Sequence, residues 1–248
     1  GPVTTGELDR CMHRGYPADK VVLDMMREIH RYFEFPKQNK MAVGLGGGHS
    51  GFTVAVLHLM NTERGFNVFV DTPRPESESA KHGGAFRQSW GVQLIELQKY
   101  AENGDESRIH FNSTEGHIPS ADELQKLGIK LFVGVGHETT GATTYAEEDV
   151  RNLLEWIDLD PVNHHAVIDA TSTLGAMPWA EDIVQQVVGK CSLFMPFQKA
   201  IGGTAGYFIV SFTPEALALV EKNVNNPAWA IPRQLKLALP ADGQQPIS

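Results

Sequence analysis

Short apolar segments alternate with longer amphipathic segments along most of this 248-residue chain. The short segments are typical of buried strands, and the longer ones are typical of helices packed on a sheet. Strands that alternate with helices favour a mostly parallel sheet, because each crossover helix lets the next strand run in the same direction. The alternation therefore predicts an α/β domain with three layers, α/β/α, in which helices cover both faces of the sheet.

The same pattern sets the approximate bounds of the elements. The predicted strands cover residues 41–45, 66–71, 108–112, 130–136, 165–171, 191–195 and 206–212. The predicted helices cover residues 20–33, 51–61, 89–102, 120–128, 146–157, 180–189 and 213–223. Two helix starts carry capping signals, since Ser120 and Glu123 can form a capping box and Thr213 precedes a proline at the first helical position.

Charge and cysteine content narrow the class of partner. The formal net charge is −9 and no basic block occurs, which disfavours nucleic-acid binding. Cys11 and Cys191 lie far apart, so they indicate neither a disulfide framework nor a zinc site. No run of 18 apolar residues is present. We therefore expect a soluble, cytoplasmic protein that binds no metal, nucleic acid or membrane.

The length and the proline content suggest where the domain ends. Residues 1–224 fit one large domain. Residues 225–248 contain four prolines and no clear periodicity, so they are interpreted as a linker that leaves this domain.

The stretch "GLGGGHSGF" (44–52) lies between a predicted strand and a predicted helix. Glycines at such a turn let backbone N–H groups converge on an anion at the helix N-terminus. The spacing matches a dinucleotide fingerprint poorly, but Asp71 lies near the place of its acidic partner. A nucleotide-binding oxidoreductase and a plain tight turn both stay open at this point.

Two further segments place polar groups after strands. Asp169 ends the apolar strand of "VIDATSTLGAMPW" (167–179), where it could hold a protonated ring nitrogen or only cap a turn. The hydroxyls of "GHETTGATTY" (136–145) could contact a phosphate or a phenolic oxygen. No second histidine follows the His-Glu pair at zinc-protease spacing, and His164 and His165 have no metal-ligand partners at suitable spacing.

Lys199 lies in the apolar, glycine-rich stretch "FMPFQKAIGGTAGYFIV" (194–210). Loss of hydration lowers the pKa of a lysine and favours the neutral amine, which reacts with aldehydes. With Asp169 one strand earlier and a glycine turn upstream, this order of groups is the one that pyridoxal phosphate requires. The alternative is a lysine that extends from a strand edge into solvent.

Several blocks of the chain together resemble class V aminotransferases among the fold type I pyridoxal-phosphate enzymes, and the phosphoserine aminotransferase family most closely. The blocks are "HRG" (13–15), "GGGHSG" (46–51), Trp90, "HETTG" (137–141), "DATST" (169–173) and "QKAIGGTAG" (198–206). The resemblance extends from Cys11 to about Lys222. It implies the large domain of such an enzyme, with a shortened N-terminal segment, a small C-terminal domain largely absent from this chain, and a homodimer.

The resemblance also implies the groups that act on the cofactor ring. Lys199 is the residue that bonds to the aldehyde and later carries a proton. Asp169 holds the ring nitrogen, Trp90 stacks on the ring, and Thr139 lies near the phenolic oxygen.

The remaining implied roles concern anions. The cofactor phosphate is expected at Gly48, His49, Ser50, Ser172 and Gln198, and His49 stands where several family members have arginine. His13 and Arg14 match the pair that holds the anionic group of the substrate.

The implied reaction is transfer of an amino group from an amino acid, expected to be glutamate, to a 2-oxo acid. The expected acceptor is 3-phosphohydroxypyruvate, which gives phosphoserine in serine biosynthesis. The alternatives are another class V enzyme with a different substrate, a lyase or desulfurase that needs a mobile cysteine, and a non-catalytic module of the same fold.

Overall fold

The computed structural model describes residues 16–60, 65–72, 108–112, 116–139, 142–173, 175–199, 201–203 and 206–225, without the side chains of 16–22 and of His49. Its helices are α1 Tyr16–Tyr32, α2 Gly48–Leu59, α3 Ala121–Lys126, α4 Glu147–Leu159, α5 Glu181–Lys190 and α6 Pro214–Val224. Its strands are β1 Lys40–Leu45, β2 Asn67–Val70, β3 Ile109–Phe111, β4 Ile129–Val135, β5 His137–Glu138, β6 Thr143–Thr144, β7 His165–Asp169, β8 Ser192–Pro196 and β9 Tyr207–Phe212.

The central sheet has seven strands in the order β1-β9-β8-β7-β4-β2-β3. Strands β8, β7, β4, β2 and β3 pair in parallel, whereas β9 is antiparallel to both of its neighbours. The predicted fold class, a mostly parallel sheet with helices on its faces, is confirmed. The sequence pattern did not predict the strand order or the reversal of β9, nor did it predict the separate β5–β6 hairpin.

Alternate residues of the central strands belong to different cores. In β4, Leu131 and Val133 pack with α2 and α6 on one face, whereas Phe132 packs with α1, α3, α4 and α5 on the other. The ring of Phe132 stacks on that of Phe69 in β2 at a centroid distance of 5.6 Å. Because strand residues alternate between faces, a strand apolar at every position must be covered twice, and here helices supply both covers.

Both predicted capping signals are confirmed. Ser120 accepts a hydrogen bond from the Glu123 backbone N–H, and the Glu123 carboxylate accepts one from the Ser120 N–H at 3.0 Å. Thr213 accepts from the Ala216 N–H at 3.2 Å, with Pro214 at the first turn of α6. The predicted helix over 89–102 lies outside the described residues, as does the segment 226–248, so the domain boundary stays a prediction.

Two glycines, one in α2 and one in β1, make room for the ring of Phe208. A β-carbon at Gly51 would lie 2.7 Å from the Phe208 ring and 3.1 Å from the Phe194 ring. A β-carbon at Gly44 of β1 would lie 2.1 Å from the same Phe208 ring. Since both rings are fully buried, neither can move aside without disturbing the core. Gly51 therefore lets α2, and with it the turn before it, pack closely against β8 and β9.

Among the described residues, no helix combines the length and the hydropathy that a membrane crossing needs.

We predict that Gly51→Ala lowers the free energy of unfolding by about 1–3 kcal/mol, because the added methyl group overpacks the contact between α2 and the sheet. Urea unfolding measures the change. Gly189→Ala in α5 is the matched control, since a β-carbon there meets only Pro36 at 3.8 Å. That control should be neutral or stabilising by up to about 1 kcal/mol, from helix propensity alone. Equal stability of the two variants would contradict the close contact at Gly51.

Candidate active site

A cavity of about 200 Å³ opens where the carboxyl ends of β4, β7 and β8 meet the start of α2. Ligands of open α/β sheets gather at this end of the strands. The cavity brings together six of the residues singled out from the sequence: Gly48, Thr139, Asp169, Ser172, Gln198 and Lys199. It is also lined by four that were not assigned a role: Val135, His137, Glu138 and Thr171.

A larger cavity, of about 580 Å³, lies at the opposite end of the sheet, where β4, β7 and α6 begin. Its lining includes Lys130, His165 and Glu215 but none of the predicted site residues. Size alone does not identify a site, and the smaller cavity carries the convergent polar groups.

Asp169 is the last residue of β7, and its side chain is 2% exposed. It lies between Val135 of β4 and Phe194 of β8 in the sheet register, and its carbonyl accepts from the Gly136 N–H at 3.0 Å. The Oδ1 atom accepts from the Thr171 N–H at 2.8 Å and also from the Thr171 hydroxyl. Among the described residues, no donor contacts Oδ2, so that oxygen is available to a ligand in the cavity.

Burial raises the pKa of the Asp169 carboxyl to about 6, and the two hydrogen bonds from Thr171 oppose that rise. A buried carboxylate loses hydration, whereas hydrogen bonds to it favour the charged form. Near neutral pH the group is therefore mostly ionised but easily protonated. A cation or a protonated ring nitrogen in the cavity would supply the charge partner that the described protein groups lack.

The predicted glycine turn connects β1 to α2 as expected. Gly46 and Gly48 have φ angles of +127° and +49°, which only glycine adopts readily. Gly47 precedes the helix and provides no side-chain cap, so the first backbone N–H groups of α2 have no capping partner there. Gly46 N–H donates to the Gly206 carbonyl at 2.8 Å, which ties the turn to the loop before β9.

Gln198 reaches this turn from the loop after β8. A β-carbon at Gly47 would lie 3.3 Å from the Gln198 Oε1 atom. The Gln198 side chain and the turn before α2 therefore lie close together. The exposed Ser50 hydroxyl donates to the Gly47 carbonyl at 3.2 Å.

Lys199 follows Phe197 and Gln198 in the turn that leaves β8. Phe197 stays packed, with 8% of its surface exposed, but the Lys199 side chain is exposed. The expectation that this chain keeps Lys199 away from water is wrong for the described residues. The strand ends at Pro196 and Phe197 still packs into the core, whereas the exposed side chains of Gln198 and Lys199 line the cavity. Lys199 can thus reach a ligand, but the local apolar sequence does not bury it.

The β5–β6 hairpin forms one wall of the cavity. His137 and Thr144 pair across it, with His137 Nδ1 2.5 Å from the Thr144 Oγ1. Thr139 is exposed at the end of β5, and the neighbouring Glu138 is buried and lines the same cavity. Short, irregular pairs of two residues carry no periodic signal, which is why the sequence pattern did not reveal this wall.

Tyr145 connects that wall to the sheet. Its hydroxyl donates to Asp71 Oδ2 at 2.5 Å and accepts from the Val135 N–H at 3.2 Å. Asn112 donates to the other Asp71 oxygen at 2.9 Å. Asp71 is fully buried by these partners, so it is not placed to bind a ribose hydroxyl. The nucleotide alternative therefore loses the acidic residue on which it depended.

The remaining predicted residues are only partly described. His13, Arg14 and Trp90 lie outside the described residues, and so does Cys11. His49 is in the first turn of α2, but its side chain is outside the described part. Cys191 is fully buried, and burial raises its pKa to about 12, which does not suit the mobile nucleophile of a desulfurase.

The residues present fit pyridoxal phosphate in their chemistry. Asp169 leaves one carboxylate oxygen for a protonated ring nitrogen, Lys199 is an amine within the same cavity, and the α2 N-terminus with Gln198 suits a phosphate. Thr139 and Ser172 add hydroxyl groups to the lining. The aromatic ring expected to stack on the cofactor is Trp90, which lies outside the described residues.

No protein-family model and no curated protein matches the chain. Solved structures do match its fold. A pyridoxamine-pyruvate aminotransferase from Mesorhizobium loti has a TM-score of 0.64 at 13% identity, over 93% of this chain and 52% of its own. A phosphoserine aminotransferase from Cytophaga hutchinsonii has a TM-score of 0.57 at 12% identity, over 88% and 52%.

A tryptophan decarboxylase from Catharanthus roseus has a TM-score of 0.58 at 11% identity, over 86% of this chain and 46% of its own. The chain spans about half the length of the solved structures it matches. At these identities the likeness shows a shared fold, which serves aminotransferases and a decarboxylase alike and so does not choose the reaction.

We predict that the free energy of unfolding of wild type falls as the pH rises from about 4 to about 6, and that Asp169→Asn abolishes this fall. The folded pKa lies above the usual value of 3.8, so the folded protein holds a proton that the unfolded chain releases first. Stability therefore falls as the pH rises through this window, by about 2–4 kcal/mol. Urea unfolding at a series of pH values measures the difference between the two proteins. Asp182→Asn, at an exposed position of α5, should keep the wild-type profile.

We also predict that Tyr145→Phe lowers the free energy of unfolding by about 1.5–3 kcal/mol, because buried Asp71 and the Val135 N–H both lose a partner. Thermal or urea unfolding measures the loss. Tyr207→Phe is the control, since Tyr207 is 46% exposed and should tolerate the change. A loss below about 0.5 kcal/mol at Tyr145 would contradict the bridging role of its hydroxyl.

Proposed function

We propose that this chain is the large domain of a pyridoxal-phosphate-dependent aminotransferase. The observation that carries the proposal is the meeting of Asp169, Lys199 and the glycine turn of α2 on one cavity. These groups come from three separate segments of the sequence, so their convergence is a property of the fold. Fold likeness is consistent with the proposal but does not establish it.

The bound cofactor would supply an aldehyde for the lysine amine and a ring that draws electrons from the α-carbon of the substrate. Asp169 would hold the ring nitrogen in its protonated state through a charge-assisted hydrogen bond. The backbone N–H groups at the start of α2 and the Gln198 amide would hold the phosphate. Lys199 would take the proton from the substrate α-carbon and deliver it to the cofactor carbon that bore the aldehyde.

The exposure of the Lys199 side chain is compatible with the roles proposed for its amine. An amine that must bond to a ligand, leave it and then move a proton needs rotational freedom above the ligand. Packing at Phe197 fixes the start of the turn, and the four-carbon stem of Lys199 provides the reach. The ligand itself would exclude water from the amine, which this chain alone does not.

For the substrates, we propose glutamate as the amino donor and 3-phosphohydroxypyruvate as the acceptor. The support is the resemblance of the blocks around His13, His137, Asp169 and Lys199 to the phosphoserine aminotransferase family. In this proposal His13 and Arg14 bind the anionic group of the substrate, and two copies of the chain associate. The chain spans about half the length of the solved aminotransferases that it matches. The activity proposed here is therefore that of a protein of their full length.

We predict that borohydride reduction in the presence of pyridoxal phosphate attaches the cofactor to Lys199, because its amine lies on the cavity and bonds to aldehydes. Peptide mass spectrometry locates the label, and the visible absorbance band of the lysine-bound cofactor reports the same bond before reduction. Lys199→Ala should lose both signals. Lys37→Ala, an exposed lysine before β1, should retain them. A label on another lysine would refute the assignment.

Addition of glutamate and of phosphoserine separates the reactions open to this fold. An aminotransferase converts each into its 2-oxo acid and keeps the amino group on the cofactor. A decarboxylase releases carbon dioxide instead, and a non-catalytic module gives neither product while it retains the bound cofactor.

A further inference from the structure

Thr171 contacts Asp169 in a way that packing does not require. It lies two residues after Asp169, is partly buried and lines the cavity. Its backbone N–H and its hydroxyl both donate to the same carboxylate oxygen, Oδ1. A valine would fill the same space and keep the backbone hydrogen bond, so the hydroxyl is the part of this residue that needs an explanation.

The other described groups around the cavity do little to stabilise the Asp169 carboxylate. The neighbouring strands place Val135 and Phe194 beside it, and neither carries charge. The titratable groups on the same cavity are His137 and Glu138 of the hairpin and Lys199 of the loop after β8. In the described part of the chain, Asp169 forms no ion pair with any of them. In the described part of the chain, the charged form of Asp169 is therefore stabilised by two hydrogen bonds, and Thr171 donates both of them.

We propose that Thr171 is the positioning residue of this site. Its hydroxyl holds Oδ1 of Asp169, so that Oδ2 is presented to the protonated ring nitrogen of the ligand and the carboxyl stays ionised at neutral pH. The identity of the ligand rests on the proposed function, whereas the contact between Thr171 and Asp169 does not depend on it.

The Thr171 hydroxyl should influence the pH at which Asp169 is ionised. Burial raises the pKa of Asp169 to about 6 although Thr171 opposes it. Loss of the hydroxyl should raise that pKa further, by about 1–2 units, because a hydrogen bond to a charged group is lost. The carboxyl would then be partly protonated at pH 7, and a protonated carboxyl cannot pair with a protonated ring nitrogen.

The experiment measures pyridoxal-phosphate affinity between pH 5 and pH 9 in the full chain. Thr171→Val should bind about 2- to 10-fold more weakly than wild type at pH 7, where wild type is mostly ionised and the variant is not. At pH 9 the two affinities should agree within about 2-fold, since both carboxyls are then ionised. Thr171→Ser, which keeps the hydroxyl, should restore the wild-type profile.

Thr173→Val is the matched control in the same loop. Thr173 is also buried, and its hydroxyl has no hydrogen-bond partner in the described part of the chain. Its affinity profile should follow that of wild type. A loss in Thr171→Val that is the same at every pH, or no loss at all, would overturn the proposal, because damage to packing alone does not follow the ionisation of Asp169.

A second measurement needs no cofactor and keeps the two proposals separate. The pH at which the stability contribution of Asp169 levels off is about 6 in wild type and should move to about 7 or above in Thr171→Val. If wild type fails to bind pyridoxal phosphate while this shift appears, the proposed function fails and the role of Thr171 toward Asp169 stands. If the contribution of Asp169 in Thr171→Val still levels off near pH 6, the role of Thr171 is refuted whether or not the cofactor binds.

Discussion

The candidate site depends on a single buried carboxyl at the end of a central strand. Asp169 ends β7 between two parallel strands, and its side chain is 2% exposed. A charged group in such a place is costly unless it is paired or hydrogen-bonded. Thr171 supplies bonds to one oxygen only, and the other oxygen faces no described donor. A positive group in the cavity would complement this carboxylate. The surrounding loops bring further polar side chains to the same cavity.

Strand direction explains why distant parts of the chain meet there. The parallel strands β4, β7 and β8 deliver the Thr139, Asp169 and Lys199 segments to one edge of the sheet. Strand β9 runs the other way, so the loop from β8 returns at that edge and meets the glycine turn after β1 through the bond from Gly46 to Gly206. Close packing of α2 against β8 and β9, allowed by Gly51, holds the turn in place.

Local signals in the sequence predicted most helices and strands well. They did not predict which groups surround each residue in the folded chain. The capping box at Ser120 and the apolar run that ends at Asp169 are local patterns, and both appear as expected. The exposure of Lys199 depends on where the chain leaves the sheet after Pro196, which an apolar, glycine-rich neighbourhood does not reveal. The role inferred for Thr171 depends on which oxygen it contacts, and the hairpin wall depends on pairs of only two residues. Tertiary geometry decides each of these, and no periodicity encodes it.

Asp71 and Asp169 show how tertiary geometry gives two similar aspartates different surroundings. Each follows or ends an apolar strand, and β2 and β7 lie on either side of β4. Tyr145 and Asn112 donate to the two oxygens of Asp71, which is therefore satisfied inside the protein. Thr171 donates to only one oxygen of Asp169, which therefore retains capacity for a ligand. The hydrogen-bond donors around a strand-end aspartate therefore decide whether both of its oxygens are satisfied inside the protein. That difference separates Asp71 from Asp169, although the sequence pattern around the two residues is similar.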